Sequence, residues 1–143
     1  LWLFGHSLGG AIAIELSAQR PAAGLIAQST FSSMLQAVQF SSQYDWVPVD
    51  WILTQRFDSL AKVPQLDLPV LFIHGVEDDT TASVMSEQLY ALSPLPKQLW
   101  LVPEAGHNNV ADTAGPEYFT TIETFVQQTQ SAVSIQPHTS PVE

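Results

Sequence analysis

The first ten residues constrain this chain more than any other stretch. Leu1-Trp2-Leu3-Phe4 is an apolar run that enters Gly5-His6-Ser7-Leu8-Gly9, and a helical pattern follows at once. A Gly-x-Ser-x-Gly pattern set between an apolar strand and a helix is the context in which a sharp turn exposes a serine. A serine hydroxyl is a poor nucleophile unless it is held exposed and beside a base. The turn supplies the exposure by forcing Ser7 into a strained backbone conformation. Glycines at positions 5 and 9 are expected to relieve the crowding that results. The turn also aims N–H groups of the helix start, that of Leu8 first, at the place where an oxyanion would form.

The remaining pattern alternates helix and strand. Gly10 to Gln19 is Ala-rich and apolar on most sides, as in a helix buried against a sheet, and Arg20-Pro21 ends it. Gly24 to Gln28 reads as a short strand. With Leu1 to Phe4 it makes strand–helix–strand, the unit of a parallel sheet covered on both faces. Ser29 to Lys62 is aromatic and rich in Ser and Gln. Ser32 to Phe40 and Val49 to Phe57 look like short amphipathic helices, broken by Tyr44-Asp45-Trp46-Val47-Pro48. Pro64 to Pro69 is a polar, proline-bounded link. Pro69 to His74 is the clearest strand, continuous and apolar. Gly75 to Thr80 is a turn, and Thr80 or Thr81 is positioned to cap a helix over Ala82 to Leu92, where Val84, Met85, Leu89 and Leu92 recur at helical spacing. Gln98 to Val102 is the last strand and Pro103 to Asn109 a loop. Pro116 to Gln128 is a helix with Tyr118, Phe119, Ile122, Phe125 and Val126 on one face. Residues 131–143 lack periodicity and are expected to be disordered.

Composition narrows the chemistry. The formal charge is −10 with only four Lys and Arg, which argues against nucleic acid as a partner and weakly against anionic membrane surfaces. There is no cysteine, hence no thiolate nucleophile and no Cys-based metal site. No pair of histidines has the spacing and carboxylate support of a metal site. No apolar run reaches the ~20 residues of a membrane span.

Two loops carry titratable residues where a serine nucleophile would need partners. The turn after Ile73-His74 holds Glu77, Asp78 and Asp79, and the loop after Val102 holds His107. In an open parallel sheet these loops lie at the carboxyl ends of the strands, on the same edge as Ser7. His107 suits a general base, since an imidazole has an ordinary pKa of ~6.5. A carboxylate would accept its ring N–H, fix the tautomer and stabilise the imidazolium.

Gly5-His6-Ser7-Leu8-Gly9-Gly10 resembles the nucleophile elbow of the α/β-hydrolase superfamily, whose chain order is Ser, then Asp or Glu, then His. His74-Gly75-Val76-Glu77-Asp78 resembles the family's acid loop, which makes Asp78 the acid and Asp79 and Glu77 its competitors. Thr81-Ala82 stands where the family often carries Val-Pro or Ile-Pro. Glu104-Ala105-Gly106-His107-Asn108 resembles the histidine loop. Phe57 to Lys62, Pro69 to Gly75 and Gly106 to Asn109 look most like the Bem46-like and serine-aminopeptidase-like branch.

The resemblance implies an α/β fold with about four parallel strands and flanking helices over 1–130, a small cap over about 31–60, and a tail from 131. It implies a serine hydrolase acting on an ester, thioester or amide, with no cofactor and no metal. Ser7, Asp78 and His107 would be catalytic, with Leu8 N–H at the oxyanion. Phe40, Tyr44, Trp46 and Trp51 are candidates to line the substrate pocket, although ordinary core packing competes for each aromatic. The substrate would be a small molecule, an acyl lipid or a peptide, and the apolar cap favours an apolar acyl group. The family places further strands, two helices and a second oxyanion donor before its nucleophile. The chain is therefore expected to be the C-terminal portion of such a domain, with Leu1 to Phe4 at an exposed edge. Any signal or anchor would precede Leu1, so membrane association stays open. An acyltransferase using the same triad, or an inactive binding or scaffold fragment, are the rival readings. A dehalogenase would need Asp at position 7.

Overall fold

The computed structural model describes residues 1–40, 48 and 57–134. Its elements run β1 (Trp2–His6), α1 (Leu8–Gln19), β2 (Gly24–Gln28), α2 (Met34–Phe40), α3 (Ser59–Lys62), a 3-10 turn (Val63–Gln65), β3 (Val70–Gly75), α4 (Ser83–Leu92), β4 (Lys97–Val102), α5 (Val110–Ala114) and α6 (Pro116–Ser134). The four strands form one sheet in the order β1-β2-β3-β4. Every pairing is parallel, with His6 opposite Gln28, Gln28 opposite Ile73 and Gly75 opposite Val102. All four carboxyl ends therefore share one edge.

Side-chain alternation along the strands builds two core layers. Leu25, Ala27, Val70 and Phe72 face one side and pack against Ala13 and Ile14 of α1, Leu89 of α4, and Val63, Leu66 and Leu68. Ile26, Leu71 and Ile73 face the other side and meet Val110 of α5 and Tyr118 and Phe125 of α6. The central strands β2 and β3 are buried along their whole length, which is why their sequences run apolar without a polar face. Fully burying a side chain such as Phe72 or Leu71 contributes about 1.5–3 kcal/mol. β1 pairs only with β2 among the described strands, and Phe4 is 54% exposed.

Several local expectations change in three dimensions. β1 continues through His6, so the strand runs to the residue before Ser7. Helix α1 is not buried all round, because Ile12 and Leu16 are exposed on the face away from the sheet. The link after α3 is less polar than it reads: Leu66 and Leu68 turn inward and complete the core. Neither Thr80 nor Thr81 caps α4; its N-cap is Ala82, which makes no side-chain cap, and Thr81 is used elsewhere. On α4 only Met85 and Leu89 of the expected stripe are buried, while Val84 and Leu92 are exposed. On α6 Phe119 is exposed as well. The loop after His107 contains the short helix α5, which the sequence does not signal. Helix α6 extends to Ser134, so positions 131–134, expected in a disordered tail, are helical.

Part of the expected cap is rooted in the domain. Phe31, Met34 and Ala37 form a third buried cluster with Ala11 of α1 and Met85 of α4. The second expected cap helix, Val49 to Phe57, lies outside the described residues except at Phe57, which is not helical (φ 37°). The other end of the segment is held by Asp58, whose carboxylate accepts the Ala61 N–H at 3.2 Å, and by an ion pair between Lys62 and Glu15 of α1.

Candidate active site

The strand-to-helix turn is as tight as its sequence demands. Ser7 has φ 55° and ψ −123°, a conformation that costs a residue other than glycine about 1–3 kcal/mol and persists only where neighbours enforce it. Three hydrogen bonds do so. Ser7 N–H donates to Gln28 O at 2.9 Å, Gly10 N–H donates to Ser7 O at 3.0 Å, and the Thr30 hydroxyl donates to Ser7 O at 3.0 Å. A Cβ on Gly5 would sit 2.2 Å from Gly9 O, so the first glycine of the pattern is sterically required. The second is not: a Cβ on Gly9 would meet nothing within 4 Å. Gly10 takes that role instead, since a Cβ there would fall 2.6 Å from the Thr30 side chain. Thr30, beyond the end of β2, is invisible from the local pattern. Leu8 opens α1, so its N–H is among the helix-start donors that lack an intrahelical acceptor.

The loop after β3 sorts the three candidate acids by burial. Glu77 and Asp79 are exposed, while Asp78 is 6% exposed. Asp78 Oδ1 accepts the N–H groups of Thr80 at 2.9 Å and Thr81 at 2.8 Å. Oδ2 faces His107 Nδ1 at 2.8 Å and His74 Nε2 at 3.1 Å. Thr81 Oγ1 lies 3.0 Å from both Asp78 Oδ2 and Ser29 O, which share its one proton. Burial by itself raises the Asp78 carboxyl. Hydrogen bonds from His107, His74 and the Thr81 N–H outweigh that and hold it well below the usual carboxylate range.

The loop after β4 brings in the histidine. It is tied to the acid loop by Val76 N–H to Val102 O at 3.0 Å and Glu77 N–H to Ala105 O at 2.9 Å. Gly106 N–H donates to Asn109 Oδ1 at 2.7 Å and closes the turn around His107. His107 Nε2 stands 3.0 Å from Ser7 Oγ. Because the Asp78 carboxylate only accepts, Nδ1 carries the ring proton, and Nε2 of the neutral ring is free to accept from the Ser7 hydroxyl. Ser7, His107 and Asp78, from three loops, thus form one hydrogen-bonded line. Such a line can pass a proton from a nucleophilic hydroxyl to an imidazole held by a carboxylate.

No protein-family model matches the chain. An uncharacterized protein of Mycobacterium tuberculosis (strain ATCC 25618 / H37Rv) is 34% identical over 126 residues, 88% of this chain and 44% of that protein. An α/β hydrolase domain-containing protein of Caenorhabditis elegans, aho-3, is 26% identical over 140 residues, 98% of this chain and 39% of that protein. Protein bem46 of Schizosaccharomyces pombe is 28% identical over 130 residues, 88% of this chain and 43% of that protein. Among solved structures, the Pyrococcus horikoshii acylaminoacyl peptidase superposes with a TM-score of 0.72 at 17% identity, covering 99% of this chain and 25% of the peptidase. The esterase domain of a Rhodothermus marinus protein superposes with a TM-score of 0.67 at 17% identity, covering 90% of this chain and 59% of that one. The chain has the α/β-hydrolase fold of these solved structures and is similar in sequence to proteins that carry the family's name. It spans less than half the length of these curated relatives.

Within the α/β-hydrolase fold the remaining candidates divide. Phe40 ends α2 and is 46% exposed, so it is a surface aromatic rather than a core one. Tyr44, Trp46 and Trp51 lie outside the described residues. Two histidines that sequence reasoning leaves without a role touch the site. His6 donates from Nε2 to His107 O at 2.9 Å, with the two rings 4.9 Å apart. His74, fully buried, contacts Asp78 and also Ser86 of α4. One signal was available for His74: a polar residue closing an otherwise apolar buried strand needs a partner.

Proposed function

We propose that this chain carries the catalytic residues of a serine hydrolase that cleaves an ester, thioester or amide through an acyl-Ser7 intermediate. The observation that carries this reading is the unbroken line from Ser7 Oγ through His107 to Asp78, at 3.0 Å and 2.8 Å. Relatives and structural neighbours that are named hydrolases, an esterase and a peptidase support it.

In the first step Ser7 Oγ bonds to the substrate's acyl carbon while its proton moves to His107 Nε2. The carbonyl oxygen becomes an oxyanion, to which we assign the Leu8 N–H at the start of α1 as a donor. The Asp78 carboxylate balances the imidazolium formed beside it. When the tetrahedral species collapses, the bond to the leaving alcohol, thiol or amine breaks and that group takes the proton from His107. Water then repeats the sequence: its oxygen bonds to the acyl carbon, its proton goes to His107, and the bond to Ser7 Oγ breaks as the proton returns to the serine. The products are a carboxylic acid and free enzyme. The reaction balances with water alone and calls on no cofactor. We assign the acyl side to the segment following β2, with Phe40 at its edge, and favour an apolar acyl group on a small molecule, a lipid or a peptide.

The test is covalent labelling of the full chain by a fluorophosphonate, with Ser7→Ala as control. Labelling that disappears in Ser7→Ala is the expected result. A wild-type protein that is folded and remains unlabelled overturns the hydrolase reading in favour of a binding module.

A further inference from the structure

His74 is the penultimate residue of β3 and is completely buried, yet its ring reaches the carboxylate that orients His107. Its Nε2 lies 2.9 Å from the Thr81 carbonyl oxygen and 3.1 Å from Asp78 Oδ2. Its Nδ1 lies 2.6 Å from Ser86 Oγ, in the first half of α4 and equally buried. The partners put a proton on Nε2 and allow a neutral ring. A carbonyl and a carboxylate both only accept, so Nε2 carries a proton. A hydroxyl can donate, so the Ser86 O–H satisfies Nδ1 and the ring is complete without charge.

This arrangement bears on the reaction. A carboxylate can rotate about its own bond; the Thr80 and Thr81 N–H groups hold Oδ1, and the Thr81 hydroxyl, shared with Ser29 O, lies 3.0 Å from Oδ2. The N–H of His74 is a further donor on Oδ2, 3.1 Å away, and so helps to set the direction of the oxygen that His107 uses. Because the donor is uncharged, Asp78 keeps its negative charge for the imidazolium that forms on His107. A second imidazolium would cancel it.

We propose that His74, kept as its neutral Nε2–H tautomer by Ser86, is a positioning residue that aims Asp78 Oδ2 at His107. Ser86 thereby joins the site from a helix that contributes no reacting group. The proposal rests on the serine-hydrolase reading for its kinetic consequence, and on the hydrogen-bond geometry alone for the tautomer.

Two measurements on the full chain test it separately. The ¹⁵N resonances of the His74 ring should report a neutral imidazole protonated at Nε2. An imidazolium, or a proton on Nδ1 alone, overturns the proposal whether or not the protein is a hydrolase. The kinetic arm uses fluorophosphonate labelling and turnover of a p-nitrophenyl ester. His74→Leu should slow both by roughly 10-fold, the order expected for a lost hydrogen bond to a charged group, with KM unchanged. His74→Gln, whose amide N–H can reach the place of Nε2, should recover most of the rate. A folded His74→Leu that labels and turns over like wild type overturns the positioning role. Should His74→Leu fail to fold, Ser86→Ala decides: it should lower kcat and shift the His74 ring signals, and an effect on neither overturns the proposal. Absent labelling of wild type would instead remove the hydrolase reading and leave the tautomer result standing.

Discussion

His6 Nε2 donates to the backbone carbonyl oxygen of His107 at 2.9 Å, although the two residues are 101 positions apart in the chain. The nominally variable residue of the Gly-x-Ser-x-Gly turn thus ties the nucleophile's strand to the histidine loop. It fixes the His107 backbone beside the Ser7 turn, at the spacing that the proposed proton transfer needs. His6→Ala should lower kcat on a p-nitrophenyl ester about fivefold, the effect of one neutral hydrogen bond worth ~1 kcal/mol, with little change in KM. Steady-state kinetics of the folded variant check this, and an unchanged kcat would make the contact incidental.

The three-residue line makes its members unequal. Ser7→Ala should abolish fluorophosphonate labelling. His107→Ala should reduce turnover on the order of 10⁶-fold and Asp78→Asn on the order of 10⁴-fold, the scales seen when the corresponding triad members are removed elsewhere. Asp79→Asn and Glu77→Gln should stay near wild type, because both side chains are exposed. If Asp78→Asn keeps near-normal turnover while one of these two loses it, the acid has been misassigned.

Asp78 also makes the fold sensitive to acid. Its carboxyl is held below its unfolded value, so the ionised form stabilises the native state. That contribution is fully present above the unfolded pKa of ~3.9 and is lost as pH falls through the lower folded value. Asp78→Asn removes the titrating group. Wild type should therefore melt well above Asp78→Asn at neutral pH, and the gap should narrow as pH drops below about 4. Thermal melts of both proteins across that range are the measurement. A gap independent of pH would mean that Asp78 stabilises by packing rather than charge.

The two glycines that flank the serine should respond in opposite ways. Gly5→Ala places a Cβ 2.2 Å from backbone at Gly9, so the turn must open and labelling of Ser7 should be lost. Gly9→Ala meets open space within a helix and should be neutral or stabilising by up to ~1 kcal/mol. Gly10→Ala, pressed against Thr30, should behave like Gly5→Ala. Denaturant melts and labelling of the three variants separate the cases.

By itself the sequence determined what is local. A short apolar run bounded by turn residues specifies a strand, and β2 spans Gly24–Gln28 as the pattern reads. The Ser7 turn, the acid-bearing turn after β3 and the His107 loop were legible for the same reason, since each is encoded by a few adjacent residues. The alternation of strands and helices then required a parallel sheet, and a parallel sheet collects those loops on one edge. Tertiary structure decided what depends on neighbours far along the chain. It buried Asp78, the residue that the resemblance names as the acid, and left Asp79 and Glu77 exposed, a difference that local chemistry cannot foresee. It exchanged Gly9 for Gly10 as the close-packed glycine because Thr30 comes from the loop after β2. It turned Leu66 and Leu68 of a proline-bounded link into core, and it diverted Thr81 from a helix cap to Asp78 and Ser29. It also enlisted His6, His74 and Ser86 around the site. Their partners are set by the register of four strands and the seat of α4 against them, and a side chain's hydrogen bonds follow from that packing rather than from its sequence neighbours.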